Sequence, residues 1–155
     1  MSPWLDTHRQ RAEILLTGRR VITGDIHLLQ VARNHSGPET PTDLLNRDEG
    51  FFAVTLEGEQ PVFVAKSQVL SVRIPLEAAV HDPARESAAR RLEFEVELAD
   101  GSLFEGAVHF ELPPDRLRLL DFLNLAPPFF ALESDDAVRL LNRGHVRAVS
   151  PLAQV

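Results

Sequence analysis

The chain has no cysteine, no tyrosine, one methionine, one tryptophan and one lysine among its 155 residues. The lack of cysteine excludes disulfides and thiolate metal sites, which fits a reducing compartment and a cytoplasmic location. No apolar run approaches the ~20 residues that cross a bilayer, so membrane insertion is not expected. The opening "MSPWLDTHRQRAE" has no basic stretch followed by an apolar core, so it does not read as a secretory signal. G-x-S-x-G, H-E-x-x-H and phosphate-binding glycine loops are missing, and neither enzymatic activity nor a cofactor is expected. Arginine carries almost all the positive charge, against a formal net charge of -7. An acidic balance disfavours nucleic acid and anionic lipid as partners.

What the chain does have is a globular composition, 44% hydrophobic and 25% charged, written out twice. "EILLTGRRVITGDIHLL" from Glu13 matches "EVELADGSLFEGAVHFE" from Glu95. One shift aligns Leu16 with Leu98, Val21 with Leu103, Gly24 with Gly106 and His27 with His109. A slightly smaller shift places "DLLN" (Asp43 to Asn46) on "DFLN" (Asp121 to Asn124), and Phe51-Phe52-Ala53 on Phe129-Phe130-Ala131. Near the ends Val62 meets Val138, Val69 meets Val146 and Val72 meets Val149. Conserved order, with gaps falling in polar loops, is the mark of a tandem duplication.

Each copy reads as β. "AEILL" and "FEVEL" alternate apolar and polar residues, the period of a half-buried strand. Tight turns follow, with Gly18 and Gly101 free to take positive φ. The second strand carries Gly24 or Gly106 at its middle, where a sharp bend would close a small barrel. A proline-bearing loop leads to a short helical turn, with Asp43 or Thr42 as its N-cap in the first copy. Three more short strands complete each copy. The expectation is an all-β fold with minor helix: two tandem SH3-like or Sm-like five-stranded small barrels, each with a short helical insertion between strands 2 and 3. The first repeat is placed at 10–76, a linker at 77–91 with one helical stretch after Pro83, and the second repeat at 92–153.

The matched polar residues have two readings. His27 and His109 could meet and bind a metal with help from Asp25, or sit at strand ends and hydrogen-bond to the neighbouring loop or the D-x-L-N turn. Asp43/Asn46 and Asp121/Asn124 could be acid–base groups, or tie a helical turn to the barrel rim. The structural reading is preferred for both sets, because catalysis would need partners the sequence does not show. Arg19 with Arg20, and Arg90 with Arg91, read as solvated pairs. The phenylalanine doublets are more informative. Strand neighbours point to opposite faces, so Phe51 and Phe52 cannot both enter one core, nor can Phe129 and Phe130. The outward ring of each pair needs a cover: the helical turn, the other copy or another chain. "LLDFLNLAPPFF", from Leu119 to Phe130, reads as a docking surface or as the seam between copies. Phe51, Phe52, Leu119, Phe122, Phe129 and Phe130 are thus the candidate interaction surface. The expected function is protein–protein contact or self-association.

The opening strands, the "DGS" turn (Asp100 to Ser102) and the glycine-centred second strand resemble the Sm and bacterial Hfq-like family. The ending "NRGHVRAVSP" from Asn142 resembles that family's closing motif, with Lys66, Val69 and Val72 in copy one matching Arg143, Val146 and Val149 in copy two. The resemblance implies a small barrel. As the alternative function it implies single-stranded RNA binding through Lys66 and Arg143. The tandem as a whole resembles small bacterial proteins that carry G-x-x-H and D-x-L-N twice, a likeness that implies no particular activity.

Overall fold

A computed structural model of the chain describes residues 7–76, 90–110 and 119–152. The first two strands of each half form its longest hairpin. β1 (Thr7–Leu16) pairs antiparallel with β2 (Arg20–Leu29) from Leu16 opposite Arg20 to Thr7 opposite Leu29. The chain reverses through Thr17–Arg19, where Gly18 takes φ 75. The second half repeats this with β6 (Arg90–Leu98) and β7 (Leu103–Phe110), turning at Gly101 with φ 90. Both turns need the left-handed region that glycine enters at no steric cost.

Next come the helix α1 (Pro41–Asn46) and the short strands β3 (Phe51–Thr55), β4 (Pro61–Ala65) and β5 (Val69–Pro75). Their counterparts are α2 (Leu119–Leu125), β8 (Phe129–Glu133), β9 (Ala137–Asn142) and β10 (Val146–Pro151). The mid-strand glycines mark where the third strand passes. A Cβ on Gly24 would lie 2.6 Å from the Thr55 carbonyl oxygen, and one on Gly106 would lie 2.5 Å from that of Glu133. Any side chain there would displace backbone.

The expected N-cap is corrected. Thr40 caps α1, with Pro41 in the first turn, and Asp43 closes a capping box. The Asp43 N–H donates to Thr40 Oγ1 (3.1 Å), and the Thr40 N–H donates to Asp43 Oδ2 (2.9 Å). Proline's fixed φ suits the first helical position, so the helix starts before Thr42 and Asp43. The helical stretch expected after Pro83 lies outside the described residues.

The ten strands of the described residues join one antiparallel sheet in the order β10-β6-β7-β8-β9-β5-β1-β2-β3-β4. The all-β class with minor helix holds. Within each half the order is fifth, first, second, third, fourth strand, so the repeat read from the sequence is a repeat of topology. The halves do not form two separate sheets. β5 of the first half pairs with β9 of the second, from Ser71 opposite Leu141 to Pro75 opposite Ala137, and the sheet stays open at β10 and β4. Even a bulge recurs: Leu70 between the pairings of β5 with β1, and Arg147 between those of β10 with β6.

One sequence match shifts. Val54 lies opposite Val62, and Leu132 opposite Arg139, so the twin of Val62 is Arg139 and the twin of Val138 is Pro61. A shorter loop before β9 moves the register by one, and hairpin pairing overrides the likeness of letters.

Two apolar clusters form the core. The first holds Ile14, Ile26, Leu45, Val54, Val69 and Val72, together with Phe129, Val138 and Leu140 from the second half. The second holds Phe94, Val96, Leu98, Phe130, Leu132 and Leu141, together with Leu70 from the first half. Each half therefore lends side chains to its neighbour's core, at about 1.5–3 kcal/mol for each fully buried one.

Candidate interaction surface

The joint between the halves is held by polar groups at its two ends. Asn46, the last residue of α1, donates from Nδ2 to the Phe129 carbonyl (2.9 Å), and its Oδ1 accepts the Phe129 N–H (2.8 Å). This side-chain amide acts like one residue of a neighbouring strand. Asn142 Nδ2 donates to the Val69 carbonyl (2.9 Å), and His145 Nε2 donates to that of Ser67 (2.7 Å). At the other end Arg73 pairs with Asp136 at 3.1 Å. Asn46 thus joins the halves, while Asp43 caps its own helix. The two residues of the D-x-L-N motif divide the work.

The aromatic doublets separate as strand geometry requires. Phe52 is buried in its own half's core, and Phe51 is 58% exposed. In the second half both rings are buried, each on its own side. Phe130 enters its own half's cluster, and Phe129, 3% exposed, enters the first half's. The outward ring of the second doublet is covered by the other copy. Phe122 and Leu119 are half-buried against the second cluster, with Phe122 edge-on to Phe130 at 6.0 Å. Of the six candidate residues, Phe51 presents an open apolar face. Phe63, which the sequence reading did not single out, is 68% exposed on the adjacent strand.

His27 and His109 find matched partners within their own halves. His27 Nε2 lies 2.7 Å from Thr55 Oγ1, and His109 Nε2 lies 3.0 Å from Glu133 Oε2. Thr55 and Glu133 are themselves twins. In the sheet β8, β9, β5 and β1 lie between the two histidine strands. Among the described residues no three His, Asp or Glu side chains gather around a common point for a metal. Burial, aided by the nearby Arg9 charge, lowers the His27 pKa from 6.5.

The two cations expected to contact RNA serve the loops after the helices. Buried Lys66 donates from Nζ to the Arg47 carbonyl (3.0 Å), and Arg143 donates from Nη1 to that of Ala126. Desolvation lowers the Lys66 pKa. Arg19, Arg20 and Arg91 are exposed, as expected. A cleft beside α1 is lined by Arg33, Glu39, Asp43, Arg47 and Glu49. Arg33 pairs with Glu49 (2.5 Å) and Arg47 with Glu39 (2.6 Å), and Asp43 Oδ2 lies 2.6 Å from His35 Nε2. Glu39 is fully buried and also accepts the Leu29 N–H at 3.0 Å, a tie between β2 and α1 that no sequence pattern announced.

No protein-family model, curated protein or solved structure matches the chain.

Proposed function

We propose that the chain is a non-enzymatic protein–protein interaction module, a scaffold or regulatory part of a bacterial assembly working in the cytoplasm. In this reading each half is a small barrel of SH3-like or Sm-like type, fused to its twin. Support for the barrels comes from the repeated strand order and from one apolar cluster per half. The observation that carries the function is the open edge at β4, where Phe51 and Phe63 stand exposed together on neighbouring strands. Exposed sheet edges recruit partners by strand addition, and paired aromatics make good anchors.

The alternative, single-stranded RNA binding of Sm-like type, has less behind it, because Lys66 is buried and Arg143 holds a carbonyl. The test is affinity capture from the native host with wild-type and Phe51→Ser/Phe63→Ser chains. A protein retained by the first and lost by the second is expected. Retention of single-stranded RNA at about 50 mM salt, falling steeply as salt rises, would instead favour the alternative.

A further inference from the structure

We propose that a second copy of the chain docks head to tail, its β4 edge against β10, repeating between chains the joint that β9 and β5 make within one. This rests on the contact-module reading and names the partner.

The joint has a donor side and an acceptor side, and the duplication built each of them twice. On the donor side, Phe129 and Leu140 enter the first half's cluster. Their twins, by pairing register, are Phe51 and Phe63, the exposed aromatics of the β4 edge. On the acceptor side, Leu44, Leu45, Val69 and Val72 are buried around the same cluster, and Asn46 holds the Phe129 backbone. Their twins Phe122, Leu123, Val146 and Val149 are only half-buried, and Asn124 is exposed. Where Phe129 would have its counterpart there is a cavity of about 380 Å³, lined by Leu123, Asn124, Phe130, Arg143, Val146 and Val149. Among the described residues an open slot, floored by Leu123, Phe130, Val146 and Val149 and rimmed by Asn124 and Arg143, lies at one end of the sheet, and a ring of the matching kind is exposed at the other. The internal joint supplies the register for both.

The second joint is the weaker one. Ile74 faces Val138 inside the chain, whereas their twins Pro151 and Pro61 have no N–H to share. Buried Leu70 becomes exposed Arg147 at the bulge, and Asn142 becomes Ala65. Proline and charge on open edges discourage indiscriminate strand pairing, so the ring and its slot select the partner. The two faces lie at opposite ends of the sheet, so the contact is heterologous, leading to a closed ring or a growing row and not to a two-fold dimer.

The chain has no native thiol, which makes cross-linking decisive. Val62→Cys and Ser150→Cys lie at the twin positions of Arg139 and Arg73, which face each other across the internal joint. Mixed and oxidised, the two variants are expected to give a disulfide-linked pair, and neither alone should. Sedimentation from about 1 to about 200 µM is expected to show mass rising with concentration. Asn124→Ala and Phe51→Ser, both at exposed positions and checked for native circular dichroism, should each weaken association about tenfold or more. Cross-linking within either single variant, or a monomer at every concentration with no mixed disulfide, overturns the proposal. If the monomer still captures a host protein through Phe51, the contact-module reading survives. If it captures none, both fail.

Discussion

At the scale of single residues, the duplication shows which groups serve the fold of each half and which serve the joint. The glycines and histidines repeat their role: Gly24 and Gly106 make room for the third strand, and His27 and His109 tie to its end. Their matched positions were legible because a residue repeated at a matched place has a repeated local reason, but the histidines' partners are the ends of the third strands and not the loop or the D-x-L-N turn. The asparagines were not legible, since the partner of Asn46 is a backbone in the other half and sequence spacing carries no trace of it. Asn46→Ala is expected to cost about 1–3 kcal/mol, because both Phe129 backbone groups lose their partner in the joint. Urea unfolding measures it, and Asn124→Ala, free of any such clamp, should cost far less in the monomer. His27 adds a pH dependence. Burial holds its folded pKa below 6.5, so as pH falls the unfolded chain takes the proton first. Stability is full above 6.5 and is lost as pH drops through that value towards the folded pKa. Thermal melts between about pH 7.5 and about pH 5.5 should show a steeper decline for the wild type than for His27→Gln.

At the scale of elements, the strands were legible and their exact partners less so. Alternation marked both opening hairpins, and glycine marked their turns. Letter matching set Val62 on Val138, while the shorter loop before β9 sets Val62 on Arg139. The start of α1 was misplaced because Pro41 begins the helix earlier than an acidic cap at position 43 allows. The fastening of α1 to β2 was invisible, since Glu39 and Arg47 look like any two charges in a polar loop. Arg47→Met would leave the Glu39 carboxylate buried without its cation, and a loss of about 3–5 kcal/mol is expected. Adding Glu39→Met should restore much of it, because replacing a buried ion pair with apolar groups is often near neutral. Chemical denaturation of the two variants side by side checks both halves of the expectation.

At the scale of the whole molecule, the sequence disclosed the duplication and the number of strands, but not that the halves would share one sheet. Pairing of β5 with β9 is a backbone event, and backbone amides are the same in every sequence. The only side-chain hint was the second doublet: two adjacent phenylalanines on a strand demand cover on both faces. The structure covers one face with each half. Cohesion of the chain therefore depends on residues that sequence position assigns to the wrong core. Phe129→Ala removes a ring from the first half's cluster, and a cost of about 3–5 kcal/mol is expected. Phe51→Ala, its twin by sequence, alters an exposed face and should cost under about 0.5 kcal/mol in dilute, monomeric protein. If the shared clusters couple the halves, the Phe129→Ala chain still melts in one transition, shifted down as a whole. Two transitions, with only one of them shifted, would mean that the joint is a contact between independent domains.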